Sequence, residues 1–371
     1  MSSSPPNSSL SSRAALGNSS PRSRSRWFLT FQAYMWRLLA RIGFYLHTFP
    51  KPSPPEPSFL SSYSTAPIHG PDAAILQLAF YVPAEYHREI ERGRKYPAVV
   101  NFHGGGFTLG RPSDDARWAA AVNCQAAAIV VGVTYRLAPE HPFPTAVEDG
   151  MCALLHIAAH AERLGIDPSQ LSLSGFSAGA NLAFAIPLRL QSYIRSGMHQ
   201  HQHENESAPE DLPRVASIIA WYPGLDYRLS RDQRRAASVK PSKTLSPLLT
   251  NLIDAAYFPD AADMQSPYAS PAVATDEQLV TALPDDIALF LCEWDMLLQE
   301  GTDFSERLEG LGKRVRCEII KEREHAFDKK PSPFQLDWKV GLYYQLACEW
   351  ICEVHRGSAH RARSRQTEQL E

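Results

Sequence analysis

Apolar positions along this chain follow two rhythms. Compact runs rich in Val, Ile and Leu occur at 75–82, 98–102, 128–134, 171–174, 215–221, 287–292 and 315–320. Between them, apolar residues recur at helical spacing over 145–163, 178–195 and 334–354. The short runs predict strands and the longer periodic stretches predict helices. Strands interleaved with helices predict an α/β fold, a mostly parallel central sheet with helices on both faces. Two stretches break the rhythm. Residues 196–213 are polar, and 226–274 form a Pro/Ser/Asp-rich insertion with a helical patch near 248–258.

The N-terminal part reads differently. Residues 1–26 are rich in Ser, Pro and Arg and contain no acidic residue. They hold too little apolar surface to offset the entropy of ordering, so a disordered tail is expected. Residues 27–49 are amphipathic. Phe28, Phe31, Met35, Leu38, Ile42 and Tyr45 share one helical stripe, while Arg26, Thr30, Ala33, Arg37 and Arg41 fall on the other side. Arg37 and Arg41 interrupt any membrane span, and the late apolar start without a cleavage site argues against a secretory signal. The stripe predicts a helix packed over the main domain. Trp27, Trp36 and the arginines also suit a peripheral membrane contact through 27–49, and the Arg/Ser-rich, acid-poor composition also suits an organelle presequence. The Pro-rich run 51–57 reads as a linker.

Composition narrows the partners. With 371 residues, 44% of them hydrophobic, the chain can bury a large core. A net charge of −3 gives no sign of a nucleic-acid partner. The six cysteines are scattered without a C-x-x-C pair, and read as reduced core thiols of a cytoplasmic protein. His199, His201 and His203 alternate, but no second cluster completes a metal set, so a solvated loop is expected there.

The candidate chemistry starts at Gly175-Phe176-Ser177-Ala178-Gly179, between a predicted strand and a predicted helix. That context makes the pentapeptide a candidate nucleophile elbow, with Ser177 exposed on a tight turn that its flanking glycines permit. Serine needs a base, and the base needs an orienting carboxylate. His325 follows the predicted strand 315–320 and Asp295 follows 287–292, both at the carboxyl edge where reacting groups collect in α/β sheets. Their alternatives are a surface loop histidine and a helix N-cap. Glu293 is the rival acid, but strand alternation points it away from the loop position. Gly104, Gly105 and Gly106, with the amide of Ala178 at a helix start, are candidate oxyanion-hole donors. No Lys-Ser/Thr follows the glycines, which argues against a P-loop. No metal and no organic cofactor is required.

Several segments together resemble the hormone-sensitive-lipase-like α/β-hydrolases. They are His103-Gly104-Gly105-Gly106-Phe107, the run from Tyr135 to Pro144, the Ser177 elbow, the run from Ser266 to Pro271, the run from Asp295 to Gly301 and His325-Ala326-Phe327. The resemblance covers roughly residues 70–355. It implies an α/β-hydrolase fold, a Ser177–Asp295–His325 triad and cleavage of small to medium carboxylic esters through an acyl-enzyme. It also implies a helical cap. The expected plan is then a tail over 1–26, an N-terminal helix and linker over 27–70 contributing to the cap, a catalytic domain over 71–355 with a cap insertion about 226–270, and a polar tail over 356–371. Two residues depart from the family pattern: Phe176 stands where the family usually has Asp, and Gln299 replaces a common acidic residue. Other readings are a biosynthetic hydrolase or cyclase acting on a specialised metabolite, and a non-catalytic small-molecule receptor. Relatives of the receptor kind lose the histidine that this chain keeps as His325.

Overall fold

The computed structural model describes residues 25–204, 213–332 and 334–368. The expected tail over 1–26 lies outside them save for its last two residues, as does 205–212 of the polar stretch. Among the described residues eight strands form one sheet: β1 (Phe59–Ser64), β2 (Ile75–Tyr81), β3 (Tyr96–Phe102), β4 (Ile129–Val133), β5 (Ile166–Phe176), β6 (Val215–Trp221), β7 (Asp286–Cys292) and β8 (Arg314–Ile320). Their spatial order is β1-β2-β4-β3-β5-β6-β7-β8. β1, β2 and β4 pair antiparallel, and every pair from β4 onward is parallel.

Helices cover both faces. In chain order they are α1 (Arg26–Leu46), α2 (Ala66–His69), α3 (Tyr86–Ile90), α4 (Ala116–Ala126), α5 (Thr145–Ala159), α6 (Ala178–Glu204), α7 (Arg231–Ala237), α8 (Pro247–Tyr257), α9 (Asp276–Ala282), α10 (Leu298–Gly310) and α11 (Trp338–Glu368). Strand alternation divides the core in two. Val100, Leu173, Ile218 and Leu289 point to the face covered by α5, α6 and α10. Val99, Phe176, Ile219 and Ala288 point to the face covered by α4 and α11. Each central strand is therefore apolar on both sides, which is why its sequence shows a continuous run instead of an alternating one.

Three differences from the expected elements have physical reasons. β1 was not expected, because Phe-Leu-Ser-Ser-Tyr-Ser has little apolar content. As an antiparallel edge strand it buries only Tyr63 and needs no more. α6 runs on to Glu204 and α11 to Glu368, into stretches expected to be a loop and a tail. Both polar extensions continue a helix already nucleated by buried turns, so adding residues does not repeat the cost of nucleation.

The third difference is at α1. Its predicted apolar stripe does not face the domain. Phe31, Met35, Leu38 and Ile42 are 57%, 45%, 51% and 51% exposed, whereas Leu29 and Ala33 are buried and Trp36 packs on the core. Arg37 is what holds the helix in this rotation. Its guanidinium donates to the carbonyls of Thr108 and Ala138 at 2.9 Å each and forms a bidentate pair with Glu140 at 2.7 and 2.8 Å. A polar clamp on loop carbonyls outweighed the apolar moment that the sequence pattern measures.

Candidate active site

The carboxyl ends of the parallel strands converge on one point. β5 ends at Phe176, and the chain turns at once into α6. Ser177 sits in that turn with a φ of 54°, a left-handed backbone that favours glycine. Its amide donates to Trp221 O at 2.8 Å, and its carbonyl accepts from Asn181 N at 3.0 Å. The flanking glycines are required by contact: a Cβ at Gly179 would overlap Phe102 O, and one at Gly175 would overlap the backbone of Gly179. Strain at a functional turn is tolerated only when its surroundings fix it so fully.

The serine meets the two distant side chains. Ser177 Oγ donates to His325 Nε2 at 2.8 Å, and His325 Nδ1 donates to Asp295 Oδ2 at 2.5 Å. His325 and Asp295 are almost wholly buried, their side chains 5% and 1% exposed. The other oxygen of Asp295 accepts Leu297 N at 3.1 Å, at the entry to α10, so the carboxylate orients the imidazole and caps the chain at once. Glu293 is turned elsewhere. It accepts from Lys321 Nζ and Glu322 N at 2.9 Å each. With Glu293 N to Ile320 O at 3.1 Å and Trp294 N to Arg323 O at 2.9 Å, it ties the loop carrying Asp295 to the loop carrying His325.

The glycine turn lies opposite. β3 ends at Phe102, and Gly105 and Gly106 take φ values of 114° and 62°. Gly105 O accepts from Thr108 N and Leu109 N at 3.2 and 2.9 Å, closing the turn. His103 anchors it from below. Its Nδ1 donates to Gly104 O at 2.9 Å, its carbonyl accepts Tyr135 OH at 2.7 Å, and the two rings stack at 4.2 Å.

Burial pushes the imidazole of His103 down to about 4, and burial does the same to His355 and, with Lys329 and Arg117 nearby, to His47. The unfolded chain binds protons at these sites below about pH 6.5 and the folded one only below about 4. Stability from these sites is therefore intact above pH 6.5 and is lost as pH falls toward 4, by on the order of 1–3 kcal/mol per histidine. Thermal melts at pH 7 and pH 5 of the wild type and of His355→Gln measure this. A smaller pH-dependent drop in Tm is expected for the variant, and identical drops would overturn the assignment.

Ser177, His325, Gly104, Gly105, Gly106 and Ala178 line one cavity of about 180 Å³. Ala40 and Phe44 of α1 and Leu249 and Ile253 of α8 supply apolar wall, and Arg231, Asp114, Asp115 and Lys329 supply charge. A larger groove of about 600 Å³, from His47 to Trp338, does not include Ser177. The smaller cavity is the candidate site, because it brings Ser177, His325 and the glycine turn together.

Sequence reasoning missed the layer behind these groups. Tyr222 follows β6, stands edge-on to the His325 ring at 4.8 Å and donates from its hydroxyl to Asp328. Asp328 also accepts Tyr344 OH at 2.6 Å and pairs with Lys329 Nζ at 3.0 Å. Lys329 pairs in turn with Asp115 at 2.8 Å, and Asp115 accepts Asn101 Nδ2 at 2.7 Å. Burial alone would raise the Asp328 carboxyl, but Lys329 and the two tyrosines hold it below the usual carboxylate value. Lys329 lies 3.7 Å from the Phe176 ring centre, and Phe176 stacks on Trp221 at 5.5 Å. The Phe that replaces the family's usual Asp thus joins an aromatic and cation–π cluster on the α11 side of the sheet. One signal could have exposed Tyr222: its place directly after a parallel strand, at the edge where Asp295 and His325 were sought.

A family model for the alpha/beta hydrolase fold matches residues 99–329. The chain belongs to the hormone-sensitive-lipase-like α/β-hydrolases. An AB hydrolase superfamily protein of Schizosaccharomyces pombe is 28% identical over 62% of this chain and 63% of its own length. Carboxylesterase NlhH of Mycobacterium tuberculosis is 38% identical over 35% of this chain and 46% of its own. The matched regions therefore span less than two thirds of these relatives. Among solved structures, a Pyrobaculum calidifontis esterase superposes with a TM-score of 0.67 at 25% identity, covering 89% of this chain and 97% of that one. In this α/β-hydrolase, the carboxyl-edge position of Ser177, Asp295 and His325 is the place where the fold gathers reacting groups.

Proposed function

We propose that this α/β-hydrolase is a serine carboxylesterase acting on small to medium acyl esters. The observation that carries the reading is the unbroken line from Ser177 Oγ through His325 to Asp295, beside a turn of three glycines. Ser177 attacks the ester carbonyl while His325 takes its proton at Nε2. Amides from Gly104, Gly105 and Gly106, together with Ala178, receive the oxyanion. His325 then protonates the departing alkoxide, leaving an acyl group on Ser177, and water repeats the cycle. Asp295 fixes the tautomer that points Nε2 at the serine and stabilises the imidazolium. In this reading α1 and the insertion about 226–270 form the cap. The partner is a small-molecule ester, and the free state of all six cysteines suits a cytoplasmic setting.

A p-nitrophenyl ester series on purified protein tests the substrate class. The expected outcome is the highest kcat/KM on short to medium chains, with steep loss once the chain outgrows the walls set by Phe44, Leu249 and Ile253. Absence of turnover across the whole series would overturn the esterase reading.

A further inference from the structure

The side of α1 that Arg37 turns outward is apolar along its whole length. Trp27, Phe31, Met35, Leu38, Ile42 and Tyr45 are between 45% and 72% exposed. Neighbouring α8, which packs against α1, exposes Leu248 as well. Soluble proteins seldom leave so continuous an apolar face uncovered, so the face needs an occupant. Charge identifies which. No acidic residue occurs before Glu56, whereas Arg13, Arg22, Arg24, Arg41 and Lys51 do, besides Arg26 and Arg37, which bind the domain itself. Two copies of this helix would bring like charges together. An anionic surface would be met by apolar, aromatic and basic groups in the arrangement that interfacial helices use. Among the described residues no helix is long and apolar enough to cross a membrane, so the geometry fits a helix lying on the surface.

We propose that α1 docks this protein on anionic lipid bilayers, with Phe31, Met35, Leu38 and Ile42 inserted below the headgroups. The consequence for substrate follows from the other side of the helix. Ala40 and Phe44 are walls of the Ser177 cavity, so docking through α1 holds that cavity against the lipid surface. The substrates are then esters that partition into the outer part of the bilayer. This substrate half rests on the carboxylesterase reading, whereas the docking half does not.

The test uses the full chain, with Ser177→Ala as the binding species so that lipid is not consumed. Sedimentation with vesicles of phosphatidylcholine containing about one third phosphatidylserine is expected to pellet the protein, weakening as salt rises. The double variant Leu38→Glu/Ile42→Glu is expected to lose vesicle affinity by about tenfold or more. On a water-soluble short-chain ester, in the background that retains Ser177, its turnover should be unchanged. Circular dichroism melts check that the variant is folded. Equal pelleting of the variant and its parent, or no pelleting of either on anionic vesicles, overturns the docking. So does a dimer in sedimentation equilibrium that the variant disrupts while lipid is ignored. Vesicle binding without any Ser177-dependent hydrolysis would instead overturn the esterase reading and leave the docking intact.

Discussion

Ser177→Ala is expected to lose on the order of 10⁴–10⁶ in turnover while keeping its fold. The substitution removes one atom that donates to His325 Nε2 and leaves His325–Asp295 and the glycine turn in place. Alanine keeps the Cβ already present at the positive φ of residue 177, so the elbow carries no new strain. What remains is the binding and oxyanion contribution, which sustains only weak catalysis in serine triads. Initial rates on a p-nitrophenyl ester, with a fluorophosphonate probe located by peptide mapping, measure both halves of the expectation. A variant within about tenfold of the wild type, or a probe attached to another serine, would remove Ser177 from the proposed role.

Lys329→Met is expected to cost about 3–5 kcal/mol of stability, the largest loss we foresee from one substitution behind the site. The ammonium is the cation between Asp115 and Asp328, whose side chains are 3% and 0% exposed, and is itself 12% exposed. Burial would depress Lys329, but the two carboxylates hold its ammonium above the usual lysine value. Methionine preserves much of the volume beside the Phe176 ring and removes the charge, leaving buried carboxylate without its counterion. Urea unfolding at neutral pH reads the loss as a lower midpoint. Adding Asp115→Asn should recover part of it, because the deficit lies in an uncompensated charge and not in packing. A single-variant change below about 1 kcal/mol, or no recovery in the double variant, would show that the pair is solvated or already neutral.

The central strands were legible because burial on both faces writes itself as an apolar run. β1 was not legible, since an edge strand can be mostly serine. The elbow and its partners were legible for another reason. Ser177, Asp295 and His325 each stand a few residues past a strand end, and a parallel sheet collects such positions at one edge. Lys329, Asp328 and Asp115 gave no such signal. A buried ion pair requires knowing which distant residues meet, and a lysine in a short loop looks solvated in sequence. The rotation of α1 failed for a related reason. A moment calculated along one helix ranks apolar faces but carries no information about carbonyls presented by other loops, and those carbonyls hold Arg37.

Because Arg37 grips Thr108 and Ala138, α1 is bolted to the loops beyond β3 and β4 although some seventy to one hundred residues separate them in sequence. Trimming the chain to residue 50 would therefore open the chamber on one side rather than merely shorten a leader. Such a truncated protein would report the selectivity of an unroofed vessel, and its preferences would not transfer to the chain that keeps α1.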